Sequence, residues 1–381
     1  MSASLNWVRD LRHALHVIAE VSGQEHKTSA LIAQELKRFA PDKILKSVGG
    51  QGVIALFHGS QAGPTIGFRA ELDALPIYEL SDISYRSEND GVAHLCGHDG
   101  HMCMVLALAE ELSKQRPKSG TVALIFQPAE ETGQGAKALV QDPKFAGLKL
   151  DYLFSLHNAP GQDVGKIQIP ATAANCASRG LKIMLTGKTS HAAAPHDGLS
   201  PMPTVARLMP ALAALADPSG GVQSPDFSLV TLTHATLGKP TFGIAPGYAE
   251  IWATLRSRSD AAMVNLCQQA ETLATQAAAE VGLELEFSYH DVFDACENHP
   301  QAVNLLKKSL RKAQIPFEIA QQPQLWSEDF GQYSQSAHTA MFWLGSGTDQ
   351  PQLHTPTYDF PDEILPVGTG AFLAVIREYL G

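Results

Sequence analysis

The sequence predicts a two-domain α/β protein: a helix-flanked sheet carrying an inserted ferredoxin-like unit. Three observations point there. Short apolar runs alternate with stretches of helical periodicity over both ends of the chain, and a self-contained strand-helix-strand-strand-helix-strand order fills the middle. The chain has 381 residues, 44% of them hydrophobic, which suits two cores better than one. The expected boundaries are 1–177 with 291–381 for the first domain and 178–290 for the insert, a stretch of about 110 residues and so of ordinary domain size.

Each element has its own signal. Residues 6–22 and 28–40 place apolar side chains at helical spacing, and 53–57 and 65–68 are strand-like runs. Residues 100–115 open a helix with Met, Val, Leu and Ala in its body. The runs 122–126 and 340–344 are apolar throughout and 152–156 is broken only by Ser155, so all three read as buried strands. They lead to Glu130-Glu131, to His157 and to the glycine-bearing loop before His354. Ligands collect beyond the carboxyl ends of such strands, so separated segments can meet at one point. Within the insert, 181–185, 228–233, 249–255 and 283–289 read as strands, and 201–215 and 260–281 as helices. After residue 291 the alternation resumes and completes the first domain.

Charge and composition narrow the function classes. The net charge is −11 and no Lys/Arg cluster stands out, which excludes nucleic acid and anionic membrane surfaces as partners. No stretch approaches the length of a membrane span. The first seven residues hold no basic segment followed by an apolar one, so the expectation is a soluble, cytoplasmic protein. The five cysteines have no paired spacing, which fits a reducing compartment. Cys103, Cys176, Cys267 and Cys296 read as small apolar filler.

Cys96 is different. The run His94-Leu95-Cys96-Gly97-His98-Asp99-Gly100-His101 concentrates metal-binding side chains in eight residues. Cys96 and His98 flank one glycine, so both can face one cavity from a tight turn. His94 and His101 are either further ligands, groups behind the ligands, or helix-start residues. Asp99 is either a helix N-cap or the partner of a ligating histidine's second nitrogen. Glu131, His157 and His354 supply the remaining arms. Five donors of nitrogen, sulfur and oxygen type exceed one tetrahedral zinc and suit two divalent ions sharing a bridging thiolate or water. Zn²⁺ is preferred, and Mn²⁺, Co²⁺ and Ni²⁺ are compatible with the mixed donor set. An adjacent Glu130-Glu131 pair is ordinarily a solvated one. Behind a buried strand and before Thr132-Gly133-Gln134-Gly135, one carboxylate can bind metal while its neighbour moves a proton.

These motifs resemble the dinuclear-metal amidohydrolases and peptidases that include hippurate hydrolase, bacterial aminoacylases, N-acetyldiaminopimelate deacetylase and plant auxin-conjugate hydrolases. The resemblance runs through Arg69-Ala70-Glu71-Leu72-Asp73-Ala74-Leu75-Pro76, the Cys96–His101 run, Phe126-Gln127-Pro128-Ala129-Glu130-Glu131 and Leu156-His157-Asn158. It continues through Gly187-Lys188-Thr189-Ser190-His191-Ala192, Ser327-Glu328-Asp329-Phe330 and Leu353-His354-Thr355-Pro356. It implies a zinc-peptidase-like catalytic domain with a mixed sheet flanked by helices, and an inserted lid that serves as the contact of a homodimer. It implies Cys96, His98, Glu131, His157 and His354 as metal ligands, Glu130 as general base and Asp73 behind the ligands. His191 then matches the histidine that reaches the scissile carbonyl, in dimeric relatives from the other subunit, and Arg256 a contact to a substrate carboxylate. Two departures stand out: Glu71 where relatives commonly have Asp, and Phe242-Gly243-Ile244-Ala245-Pro246 in place of an Asn-Val-Ile-Pro stretch.

The expected activity is hydrolysis of an N-acyl amino acid or related amide by metal-activated water. A dipeptidase or aminopeptidase uses the same chemistry on a short peptide. A catalytically silent metal-binding protein and a cysteine hydrolase using Cys96 are the readings from other classes.

Overall fold

In the computed structural model, which describes residues 6–381, the chain divides into two compact units. One takes the residues up to Ala174 with Glu297–Gln321 and Asp329–Gly381; the other takes Asn175–Cys296 and Gln322–Glu328. The second unit thus reaches beyond 178–290, because its last strand runs on to Phe293. It also gains 322–328, where the Leu325 carbonyl and the Ser327 hydroxyl accept hydrogen bonds from Arg256. Met1 to Leu5, most of the seven residues expected to hold no basic segment followed by an apolar one, lie outside the described residues. Among the described residues no helix is long and apolar enough to cross a membrane.

The principal strands, in chain order, are β1 (Lys43–Val48), β2 (Gly52–His58), β3 (Gln61–Glu71), β4 (Ser119–Gln127), β5 (Tyr152–Pro160) and β6 (Ile167–Pro170) in the first unit. Then come β7 (Ala177–Thr186), β8 (Ser228–Leu237), β9 (Tyr248–Ser257) and β10 (Glu284–Phe293) in the second. Finally β11 (Phe317–Ala320) and β12 (His338–Gly347) return to the first. The main helices are α1 (Asn6–Val17), α2 (His26–Lys37), α3 (His98–Lys114), α4 (Met202–Ala213), α5 (Asp260–Ala279), α6 (Pro300–Lys312) and α7 (Leu365–Tyr379).

The first unit is built on an eight-stranded sheet ordered β1-β2-β4-β3-β5-β12-β6-β11. Its central strands β4, β3, β5 and β12 are parallel, while β2 runs antiparallel to β4 and β6 to β12, so the sheet is mixed. Residues 122–127 of β4 and 153–159 of β5 are buried without interruption, which requires cover on both faces and explains why apolar side chains dominate both strands. Phe68, Phe154, Phe342 and Phe372 interlock over this sheet, and burial of each such side chain contributes about 1.5–3 kcal/mol. Because the four central strands are parallel, their carboxyl ends share one edge. Glu130, His157 and the loop towards His354 leave the sheet there.

The second unit has the order β8-β9-β7-β10, antiparallel throughout. That is the ferredoxin-like arrangement. Leu181, Ile183 and Leu185 of β7 and Ala249, Ile251, Ala253 and Leu255 of β9 alternate onto one face. There they meet Val205, Leu208 and Leu212 of α4 and Met263, Leu266, Ala270 and Ala274 of α5. The intervening residues of β9, such as Tyr248 and Trp252, stay exposed on the opposite face.

Candidate metal centre

The site is assembled from the loops carrying Cys96, Glu130-Glu131 and His354, the end of β5 carrying His157, and the first turn of α3. That helix starts at His98, two residues earlier than its apolar pattern suggests, with Gly97 as its cap in a left-handed conformation (φ 88°). A side chain at Gly97 would lie 2.5 Å from Asn158 Nδ2, so glycine is required both by the turn and by the space. The result sets Cys96 and His98 on either side of the turn, both buried. Asp99 falls inside the first turn instead of capping it.

Two histidines are locked in the orientation a metal ligand needs. His98 Nδ1 donates to the Asp73 carbonyl (2.9 Å) and His157 Nδ1 to the Asn158 carbonyl (2.9 Å), which leaves each Nε2 as the outward lone pair. His157 Nε2 lies 3.4 Å from Cys96 Sγ. The Asp73 carboxylate holds the amide of Glu131 (2.9 Å) and the Ser22 hydroxyl (2.7 Å), so one aspartate braces both His98 and the glutamate turn.

The Glu130-Glu131 turn closes on itself. The Glu130 carbonyl accepts from the Gly133 amide (2.8 Å), and the Ala129 carbonyl accepts from those of Gln134 (3.2 Å) and Gly135 (3.0 Å). A Cβ at Gly135 would overlap the Pro128 carbonyl oxygen, so this close return admits only glycine. Ala129 (φ 52°) and His354 (φ 64°) hold left-handed conformations that non-glycine residues disfavour. Both belong to the site. His354 is tied in by its amide, which donates to the Leu95 carbonyl (2.9 Å), and its Nε2 stands 3.6 Å from Glu131 Oε1.

Donor atoms of Cys96, His98 and His157 lie within 4.8 Å of one another, and so do those of Cys96, Glu131 and His354. The two groups share Cys96. A third group joins His98 to Glu130 and Glu131 by the same measure. Among the described residues His98 Nε2 is buried without a hydrogen-bond partner; the carboxylate oxygens of Glu131 and Glu130 are 3.9 and 4.0 Å away. Leaving such an atom unsatisfied costs about 1–3 kcal/mol, and coordination removes that cost. Burial opposes charge on His98, yet the Asp73 carboxylate 3.6 Å away, with Glu71 and Glu131, pushes it up to about 10. A field that holds a proton so firmly holds a cation in the same place. The donor set and this orphaned nitrogen fit divalent metal.

Other residues of the histidine-rich run have different employment. His101 donates from Nδ1 to Glu71 (2.7 Å) and accepts the Asn158 amide at Nε2 (3.1 Å), so both ring nitrogens are used and it stands behind the ligands. His94 is buried, and among the described residues neither of its ring nitrogens is hydrogen-bonded and it joins none of the candidate groups. Burial lowers it to about 3, so it stays neutral. The Asp99 carboxylate accepts from His16 (2.8 Å) and Arg12 (3.4 Å), which corrects both expectations for it: it neither caps α3 nor supports a ligand's second nitrogen.

Sequence reasoning assigned no role to Asn158 or Arg69. Asn158, in β5, donates from Nδ2 to the Cys96 carbonyl (2.7 Å) and accepts from Tyr358, joining two loops to the strand. Arg69, fully buried in β3, pairs with Glu71 and with Asp329 (2.7 Å) and donates to Gln127 (2.8 Å). An arginine inside the apolar run that becomes β3 was the available signal, since buried arginine needs carboxylate partners.

The second unit carries His191 and Arg256. His191 lies in a short strand paired with Ile244-Ala245 and is exposed; its Nδ1 accepts from the Ala193 amide (3.0 Å), so the neutral ring carries its proton on Nε2. Burial lowers the Arg256 guanidinium somewhat, and Leu325 and Ser327 hold it at 3.0 Å each.

Comparison with known proteins agrees with this geometry. The chain is 28% identical to the hippurate hydrolase of Campylobacter jejuni, over 97% of this chain and 96% of that protein. It is 29% identical to thermostable carboxypeptidase 1 of Saccharolobus solfataricus, over 97% and 95%. Among solved structures it matches a dinuclear metal-binding peptidase of the M20 family from Bacillus subtilis with a TM-score of 0.83 and 25% identity, covering 100% of this chain and 99% of that one. The sequence pattern of peptidase family M20/M25/M40 matches residues 67–378. The chain belongs to that family and is a metal-dependent hydrolase of amide bonds.

Proposed function

We propose that the chain cleaves the amide bond of N-acyl amino acids, using two divalent ions held by Cys96, His98, Glu131, His157 and His354. The observation that carries this reading is the sharing of Cys96 by two ligand groups with the Glu130 carboxylate alongside. When bound, the ions supply Lewis-acid polarisation of the carbonyl and bring the pKa of water towards about 7. Zinc suits the thiolate and imidazoles best, and Mn²⁺, Co²⁺ and Ni²⁺ are compatible.

The remaining work falls to the chain's own residues. Glu130 takes a proton from the attacking water and returns it to the departing nitrogen, so the products are a carboxylate and an amine. His191 donates from Nε2 to the oxygen of the tetrahedral intermediate, a contribution on the order of 3 kcal/mol for a preorganised donor. Arg256 receives the substrate's carboxylate. Hippurate is itself an N-acyl glycine, and the name of that relative supports the substrate class. The carboxypeptidase relative supports a second reading, cleavage of a short peptide by the same chemistry. The protein works in the cytoplasm as a homodimer, with the second unit as lid and contact.

A panel of N-acetyl, N-benzoyl and longer N-acyl amino acids, with peptides bearing free amino termini, tests this. The blocked substrates are expected to turn over, a chelator to abolish the activity, and added divalent metal to restore it. Hydrolysis of the free-amine peptides alone would instead establish the peptidase. Activity that resists chelation and vanishes on alkylation would make Cys96 a nucleophile, and inactivity of metal-replete protein towards every substrate would sink both readings.

His191→Ala is expected to lower kcat by about 100- to 1000-fold with metal content unchanged. Mixed dimers of a Glu130 variant and a His191 variant should regain activity if the histidine crosses between subunits. No recovery would place its action within one chain.

A further inference from the structure

One buried acid has no part in the chemistry so far. Glu25, at the start of α2, is fully buried and belongs to none of the candidate ligand groups. Its Oε1 accepts the amide of Ala129 (2.8 Å) and that of Gly23 (2.8 Å), while Oε2 has no partner among the described residues. Ala129 is the left-handed residue immediately before Glu130. Its carbonyl is taken by Gln134 and Gly135, so Glu25 secures the only other polar group that its backbone offers. On the far side of Glu130, Asp73 grips the amide of Glu131 (2.9 Å). Two buried carboxylates therefore clamp the backbone on either side of one residue.

We propose that Glu25 is the positioning residue for Glu130: its carboxylate holds the strained Ala129 peptide so that the neighbouring side chain points into the metal site. This rests on the base role assigned to Glu130 above. A carboxylate acceptor makes a stronger bond to a backbone amide than a neutral one, which suits a conformation that alanine otherwise avoids. Asp73 holds the amide of the ligand Glu131 itself, whereas Glu25 holds the peptide that leads into Glu130. The two clamps thus have separable effects. Loss of Glu25 lowers turnover and leaves metal binding in place.

Three variants test this: Glu25→Ala, Glu25→Asp, whose shorter arm cannot reach the Ala129 amide, and Glu25→Gln, which keeps an acceptor there. Amide hydrogen exchange of metal-loaded protein is expected to quicken over residues 129–135 in the Ala and Asp variants and to stay near wild type in Gln. In the same two variants kcat for an N-acetyl amino acid should fall roughly 10- to 100-fold, the scale of a misplaced catalytic group, with KM and metal content little changed. In a Glu130→Gln background the same changes should cost nothing further, because there is no base left to position. An equal loss in both backgrounds would overturn the proposal, and so would unchanged exchange over 129–135. If Ala proves unstable, Asp against Gln decides. If the wild type cleaves none of the substrates, the substrate reading fails on its own and the exchange measurement still decides the role of Glu25.

Discussion

Glu130→Gln is expected to lower kcat by about a thousandfold or more, with metal content and melting temperature close to wild type. The change keeps the shape and the acceptor oxygen that faces the Asp329 amide at 3.4 Å, and it removes only the capacity to carry a proton. The ligand turn should survive because its anchors lie elsewhere, in the Asp73 bond to the Glu131 amide and the backbone closure at Gly133 and Gly135. General acid–base catalysis contributes about 10²–10⁴ in rate, and one residue serving both the attack and the departure lies towards the upper end. Metal analysis, a thermal melt and steady-state kinetics on the same preparation are sufficient. Turnover within tenfold of wild type at full metal content would remove Glu130 from the base role. Loss of metal together with activity would make it a ligand.

Arg12→Met is expected to destabilise the first unit by about 3–5 kcal/mol, the cost of breaking a buried ionic network by removing one partner. Arg12 is fully buried in α1 and donates to Asp362 (2.9 Å), Asp359 (2.6 Å), Asp99 (3.4 Å) and the Tyr85 hydroxyl (2.9 Å). Burial works against a charge there, but those three carboxylates raise the guanidinium's affinity for its proton, so it stays charged. Without it Asp99 keeps His16 and Asp359 keeps the Tyr85 hydroxyl, and Asp362 keeps His13 (2.9 Å) as its tie to α1. The loop between Gly347 and Asp362 also carries His354, so weaker metal retention should accompany the lower stability. Arg12→Lys should recover only part, because a point charge cannot serve three carboxylates in a planar fork. Urea unfolding with and without bound metal measures both effects. A loss below about 1 kcal/mol would show that apolar packing of α1 holds the loop without this network.

Legibility followed burial. β5 and β12 could be read because strands covered on both faces are mostly apolar, and the ferredoxin-like unit because its strands alternate cleanly. β1 escaped notice: it is a half-exposed edge strand with Lys43 and Lys46, the charged composition that protects sheet edges and hides them from a hydrophobicity pattern. In the site, the Cys96-Gly97-His98 turn was visible because its donors are close in sequence. The clamp made by Glu25 and Asp73 was not, since a carboxylate that accepts a backbone amide leaves no periodic trace.

The sequence by itself determined the class of fold, the donors' chemical identity and their place at the ends of buried strands, because periodicity and residue type are local properties. Only the tertiary structure decided which histidines serve. His94, His98 and His101 are near neighbours in the chain, yet among the described residues one has neither ring nitrogen hydrogen-bonded, one turns an unpartnered nitrogen towards two glutamates, and one is used up by Glu71 and Asn158. The employment of a ring nitrogen depends on what long-range folding brings within about 3 Å of it, and that distance is not written in the spacing of residues along a chain.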